Sequence, residues 1–578
     1  MTTRIDAHTH VFTLRSILTP EAIRVMTQRI VDMGAPKFLA DAVEQLLYDQ
    51  LSKPHAFNER RLLAALLRKL TGIEDFKKEV ENLFTGDLLK FQVEGDLDDL
   101  SAEILIGILR KFADRYQGGS VASEIMNVVA TLQQSMQPTI TDVADHILEP
   151  MMDGHPGDDC VIAALMLDIY SDDESPIDHK TYRSQITGTA EAALQRPGRV
   201  LPFFGVHPDR PGHLDELRRA VETMGFVGVK LYPSLGYKVD SPEMRRVYQY
   251  CVEADLPVLL HCGHGGFYRQ KKLKKLCDPA QWNTVLADPD FQALRVCFAH
   301  FGGWEALGKR ECLAQNVTPD NWGKKIYDFM VAHPNVYTDL AKHVSMFDDP
   351  ADEQTYFDTM RQLLASPAIG KRILFGTDAW LLRLDMPFDE YLRKWRTAAG
   401  SAWDDITVEG PQAFLGFAPQ PDKMRGNMRR FVDFMRQNRH RVGGEPAPWL
   451  QRVIGEAFSK DRDRPDWNFK RYAVRDTYQF LGPYLRDAHL DRSYKEHRVV
   501  PLRDLAYYDP SDPNFVGRCR DMARRFVDFA DQRVKYAPGH TFGSTVDMFT
   551  DIFKKGDLRL SDVATALDTV LEYPERIT

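Results

Sequence analysis

Eight short apolar runs recur along this 578-residue chain, at 3–8, 160–170, 200–206, 226–232, 257–262, 295–300, 335–340 and 372–378. From the second run to the seventh, helix-like stretches stand between neighbours, at 181–195, 214–224, 242–254, 279–287 and 324–333. Strand alternating with helix predicts an α/β chain with a parallel sheet. Eight such repeats predict a closed (β/α)8 TIM barrel, which puts its catalytic groups at the C-terminal ends of its strands.

The runs end in residues that bind metals. The fragments are DAHTH (6–10), GVKLYP (228–233), LLHC (259–262), CFAH (297–300) and LFGTD (374–378). Side chains alternate faces along a strand, so His8 and His10 aim at one point and Thr9 turns outward. Two neutral imidazoles converging in this way suit zinc or a similar borderline cation. Read in order on strands 1, 4, 5, 6 and 8, the fragments predict one mouth lined by His8, His10, Lys230, His261, His300 and Asp378. A plain lysine at Lys230 is a poor ligand, because its amine is protonated at neutral pH.

This pattern resembles the amidohydrolase superfamily: H-x-H on strand 1, an optional lysine on strand 4, histidines on strands 5 and 6, and an aspartate on strand 8. DAHTH, GVKLYP, HCGHGG and LFGTD are most similar to its amidohydrolase-related branch, the aminocarboxymuconate-semialdehyde decarboxylase-like metal-dependent hydrolases and decarboxylases. The resemblance spans residues 1–18 and 150–418. It implies a divalent metal, zinc first, as one or two ions, with manganese, iron or cobalt accepted by the same ligands. It implies that His8, His10 and Asp378 hold the first metal, joined by His261, and that Asp378 is also the general base toward a water whose pKa the metal lowers toward ~7. His300 is implied as an acid or charge stabiliser in a one-metal site and as a ligand in a two-metal site. Lys230 is implied either as a carboxylated ligand bridging two metals or as a cation facing a substrate carboxylate.

Other residues past strand ends are candidates for substrate contact: His264, Tyr232, Trp304, Trp380 and Arg383, with Phe12 and Phe267 as further walls. His207 and His343 read as loop histidines, and Cys262 as a buried thiol turned away from the site. Asp168 and Asp339 read either as carboxylates orienting a histidine or as strand-end caps. The run RQKKLKKL (269–276) could attract an anionic substrate or be a solvated face.

A barrel needs roughly 250 residues, so much of the chain is something else. Residues 19–149 read as a helical insertion after strand 1, emerging at the mouth, with amphipathic stretches at 21–33, 58–70 and 101–116. It is either a lid over the substrate or a stabilising helical domain. Residues 419–578 read as a helical C-terminal extension in which RRFVDF occurs twice, at 429–434 and 524–529. The net charge of −9, from 74 basic and 83 acidic residues, gives no support for a nucleic-acid partner. Seven scattered cysteines without a C-x-x-C pair argue against a disulfide framework. No apolar run approaches about 18 residues, and the opening residues do not read as a charged-then-apolar leader. The expectation is a cytoplasmic protein with reduced thiols, no membrane partner and a small-molecule substrate; a homo-oligomer stays open.

Three functions fit. The first is a metal-dependent hydrolase using activated water on a C–N, ester or lactone bond of a small, anionic-tolerant substrate. The second is a metal-dependent nonoxidative decarboxylase. The third is a catalytically silent barrel acting as a binding or scaffold subunit, against which the intact ligand positions speak.

Overall fold

The computed structural model describes residues 2–32, 139–172, 176–382, 385–418, 423–438, 441–443 and 445–454, with scattered positions at 40–48, at 137 and between 517 and 572. Eight strands run at Thr3–His10 (β1), Asp159–Leu165 (β2), Val200–Val206 (β3), Gly228–Leu231 (β4), Val258–Leu260 (β5), Val296–Phe298 (β6), Val336–Asp339 (β7) and Ile373–Leu374 (β8). They lie side by side in chain order, every neighbouring pair parallel. The two edges meet where Ala7 N donates to Phe375 O at 3.0 Å and Asp378 N donates to His8 O at 2.7 Å. This is the (β/α)8 barrel that the apolar runs predict. All residues of β2 and β3 are buried, as expected for strands covered by helices outside and packed side chains inside.

Helices Pro176–Gln195, His213–Thr223, Pro242–Glu253 and Trp322–Ala332 fill the expected gaps. The stretch at 279–287 instead folds as a 3-10 turn, Pro279–Trp282, and one helical turn, Asn283–Leu286. Two further helices, Pro350–Leu364 and Phe388–Ala399, complete the outer ring. The first has a plain local signal: Asp349 caps it by accepting from Ala351 N and Asp352 N, and Tyr356, Phe357, Met360 and Leu363 line its buried face. Helix Ile140–Asp153 opens on a reciprocal Thr139–Asp142 cap and buries Ile140, Val143, Ala144, Ile147, Leu148 and Met151. The boundary read from sequence at 149/150 falls inside this helix.

Of the insertion, helix Pro20–Asp32 is described; the stretches at 58–70 and 101–116 lie outside the described residues. Of the C-terminal extension, helix Gly426–Gln437 carries the first RRFVDF; the second copy lies outside them. Residues 194–197, 435–445 and 454–578 make a second compact unit. In it Gly443 N donates to Leu194 O at 3.1 Å, and Lys535–Tyr536 pairs antiparallel with Leu571–Glu572. Among the described residues no helix is long and apolar enough to cross a membrane.

Candidate metal centre

β1 carries one extra residue against β2, since Asp6 pairs with Ile162 but Thr9 with Ala164. Such a bulge re-aims side chains at a barrel rim. His8, within the bulge, and His10, just after it, come together with ring centroids 5.7 Å apart. Ligand atoms of His8, His10 and Asp378 all lie within 4.8 Å of one another, and all three residues are buried. Close approach of β8 to β1 depends on Gly376, where a Cβ would stand 2.6 Å from the His8 Cβ.

Each strand-1 histidine has its tautomer fixed from behind. His8 Nδ1 donates to Asp339 Oδ2 at 2.9 Å, and His10 Nδ1 faces Leu165 O at 3.2 Å. Both rings therefore present Nε2 as the lone pair. Lys230 Nζ already donates to His8 Nε2 at 3.2 Å, so a cation stands at that nitrogen. Burial, reinforced by the Lys230 charge, holds both histidines well below the usual imidazole range. They are neutral, the form a metal requires.

The strand-5 and strand-6 histidines are arranged differently. His261 Nε2 faces Gly265 O at 3.1 Å, His261 Nδ1 faces His300 Nε2 at 3.2 Å, and His300 Nδ1 faces Ala341 O at 2.9 Å. Three contacts need three hydrogens, and two neutral imidazoles carry two. Burial keeps both rings from gaining a proton, their pKa values lying well below the usual range. A divalent cation that takes one ring nitrogen removes the mismatch. The donor set thus fits a divalent metal: neutral imidazoles, one carboxylate and a histidine pair one hydrogen short.

Backbone strain collects at the same place. His300, Phe301 and Asp378 have φ of 61°, 47° and 47°, left-handed values that side chains rarely adopt. His300 is held there from three sides. Its N–H donates to Asp339 Oδ1 at 2.8 Å, its carbonyl accepts from His343 Nε2 at 2.8 Å, and its ring meets Ala341 O. His343 is fixed in turn by Tyr356 Oη at 2.6 Å, and burial lowers its pKa to about 4. Asp339 is therefore a hub, binding the His8 ring, the His300 amide and the Ala341 amide.

Lys230 is buried, and burial lowers its pKa to about 8 against the raising effect of Asp378 and Asp339. It is mostly an ammonium at neutral pH. Around His10 the aromatics close into a ring, with centroid distances of 6.1 Å from His10 to Phe12, 5.0 Å to Trp380, 5.4 Å to Phe267, 6.1 Å to Tyr232 and 6.4 Å back to His10. Tyr232 also stacks flat on His261 at 4.2 Å. Gly266 makes room for that stack, because a Cβ there would lie 2.3 Å from Tyr232 Oη and 2.5 Å from His261 Cε1.

The remaining candidates sit further out. His264 is exposed and lies on Trp322 at 4.1 Å. Trp304 is half-buried beneath Lys309, whose Nζ is 5.2 Å from the ring. Arg383 lies outside the described residues. Asp168 accepts from the His207 backbone and not from a histidine ring: Arg210 takes both its oxygens, at 2.7 and 2.9 Å, and lies over the Tyr182 ring at 3.9 Å. His207 is packed between Tyr170 and Tyr237, and burial lowers its pKa to about 4. Cys262 is buried and donates to Cys277 O at 3.3 Å.

Sequence reasoning passed over Asp6 and Thr377. Asp6 was visible in DAHTH as an acid inside an apolar strand, a costly placement unless the group has partners. Thr377 gave no signal of its own.

Residues 139–413 match the amidohydrolase family. No curated protein matches the sequence. Among solved structures, an uncharacterized TIM-barrel protein from Bordetella bronchiseptica is 17% identical, covering 57% of this chain and 94% of that one, with a TM-score of 0.32. The 2,6-dihydroxybenzoate decarboxylase from Rhizobium is 18% identical, covering 49% and 94%, with a TM-score of 0.33. The matched segment spans β2 to β8, and the eight-stranded parallel barrel with histidines and an aspartate at its strand ends agrees with that match.

Proposed function

We propose that this chain is a metal-dependent hydrolase of a C–N, ester or lactone bond in a small, anionic substrate. The observation that carries the reading is the buried cluster of His8, His10 and Asp378, with ligand atoms within 4.8 Å. A divalent cation held there would polarise the scissile carbonyl and lower the pKa of a water. Asp378 takes the proton from the attacking water and returns it to the leaving group. His300, its ring turned to the site and its backbone clamped by Asp339 and His343, stabilises charge developing on the carbonyl oxygen. Lys230 supplies a buried positive charge for a substrate carboxylate, and Lys271, Lys272 and Lys275, exposed on the loop after β5, favour approach of an anion. The aromatic ring around His10 keeps bulk water out, which strengthens each of these interactions. A second group of potential ligand atoms, from His8, His300 and Asp339, shares His8 with the first, and the His8 Nδ1 is committed to Asp339, which supports a single metal and Lys230 as an ammonium.

Elemental analysis of wild type and Lys230→Ala tests the metal, and a panel of esters, lactones and amides tests the reaction. About one zinc or manganese per chain in both proteins, with turnover abolished in Asp378→Asn, is expected. Two metals falling to one in Lys230→Ala would make the lysine a bridging ligand instead. No metal after reconstitution would defeat the reading.

A second reading, nonoxidative decarboxylation, is favoured by one observation: the Phe12–Trp380–Phe267–Tyr232 wall beside a buried ammonium suits a flat unsaturated acid. Release of CO2 from such acids, without hydrolysis of the panel, would select it.

A further inference from the structure

The Asp6 carboxylate faces away from any role in the chemistry so far assigned. It is fully buried in β1, yet all three of its contacts go to the ends of the two strands that carry the ligand cluster. Oδ1 accepts from His8 N at 3.0 Å and from Thr377 N at 3.0 Å; Oδ2 accepts from Thr377 Oγ1 at 2.5 Å. The next residue in each strand end completes a closed knot, because Asp378 N donates to His8 O at 2.7 Å and Ala379 N reaches Thr9 Oγ1 at 3.4 Å. Inside this knot Asp378 takes its left-handed φ of 47°. That conformation is costly for a side chain and persists only where surrounding contacts over-determine it.

Burying a carboxylate is costly in itself, and nothing about barrel closure demands one at this position. The β1–β8 seam closes through backbone pairs on either side, from Ala7 N and from Asp378 N. What Asp6 adds is a fixed distance between His8 and the turn that aims Asp378. Thr377 is the matching half: its amide and its hydroxyl both end on the one carboxylate.

We propose that Asp6 and Thr377 form a positioning clamp that sets the Asp378 carboxylate against His8 and His10 before any metal arrives. The clamp rests on the metal-site reading for its purpose but not for its existence, so the test separates the two.

Hydrogen–deuterium exchange on the metal-free full chain reads the clamp directly. In Thr377→Val, exchange in the peptide covering 376–382 should rise about tenfold, the worth of one buried hydrogen bond. Peptides from helix Pro350–Leu364 should stay at the wild-type rate, and Thr377→Ser should restore protection. Zinc titration of the same proteins reads the purpose. Affinity should fall about 10- to 100-fold in Thr377→Val and Asp6→Asn, the range for loss of a group supporting a ligand, and return in Thr377→Ser. Should Asp6→Asn fail to fold, the Val/Ser pair at 377 still decides. Wild-type exchange at 376–382 in Thr377→Val would overturn the clamp, as would an equal rise across the whole barrel. A wild type that binds no zinc would defeat the metal reading and leave the exchange result to judge the clamp alone. Zinc affinity unchanged in an exchange-loosened Thr377→Val would overturn the positioning role.

Discussion

The two halves of the site are built on opposite principles. At the β8–β1 seam every polar contact has its hydrogen: Asp339 orients His8, Leu165 O orients His10, and Asp6 ties both strand ends together. Across the mouth, His261 and His300 face Gly265 O, Ala341 O and each other with one hydrogen too few. The seam is preorganised without metal. In the far pair, a cation taking one ring nitrogen would remove the shortfall. A site divided this way can bind its metal first to the rigid half and recruit the other.

That contrast can be broken by experiment. The largest effect is expected at the rigid half: His8→Ala or Asp378→Ala should cost at least about 10³-fold in kcat/KM, or about 4 kcal/mol of barrier, together with most bound metal. Asp339→Asn should lower metal affinity about 10- to 100-fold without removing a ligand, measured by competition with a chelating dye. His261→Ala should cost less affinity than His10→Ala in the same assay. Equal losses would mean that the halves are equally committed, and the contrast would be wrong.

Gly376→Ala and Gly266→Ala sharpen it further. The first forces a Cβ toward the β1 backbone at His8 and should lower both metal affinity and melting temperature. The second puts a side chain on a backbone with φ of +83° and against the stacked Tyr232 and His261 rings, so it should raise substrate KM as well as lower the melting temperature.

The smallest effect is on pH-dependent stability of the metal-free protein. The buried histidines have folded pKa values below their unfolded value near 6.5, with His207 and His343 at about 4. Their contribution is whole above pH 6.5 and is lost as pH falls toward 4, up to about 1.4 kcal/mol per pH unit for each group. Asp6 opposes them. Burial raises its pKa to about 7, so its cost is felt as pH rises from 4 to 7 and relieved on acidification. Chemical denaturation between pH 7 and 4.5 should therefore show falling stability, with a steeper fall in Asp6→Asn. Stability that rises on acidification would contradict neutral histidines at the mouth.

The barrel was legible because its signals are local. An apolar run, the helical spacing after it and a histidine or aspartate at its end can each be read within about ten residues, and β1 to β8 follow that order. The helix at 350–364 had a legible cap and face that a search for apolar runs passed over. The aromatic wall was legible only in part: Phe12, Tyr232, Phe267 and Trp380 close into a ring, while Trp304 and His264 sit outside it, because a position just past a strand end does not say which way a loop turns.

By itself, then, the sequence determined the (β/α)8 order and the residue types gathered at the mouth, since strand alternation and strand-end position fix where a side chain starts. Only the tertiary structure decided how those groups are held. Asp339 meets His8 across 331 residues of chain and Thr377 meets Asp6 across 371, through a one-residue bulge in β1 and the register of the closing seam. A hydrogen bond needs its partners placed to within a few tenths of an ångström. That placement comes from the packing of the whole barrel, and no short stretch of the chain encodes it.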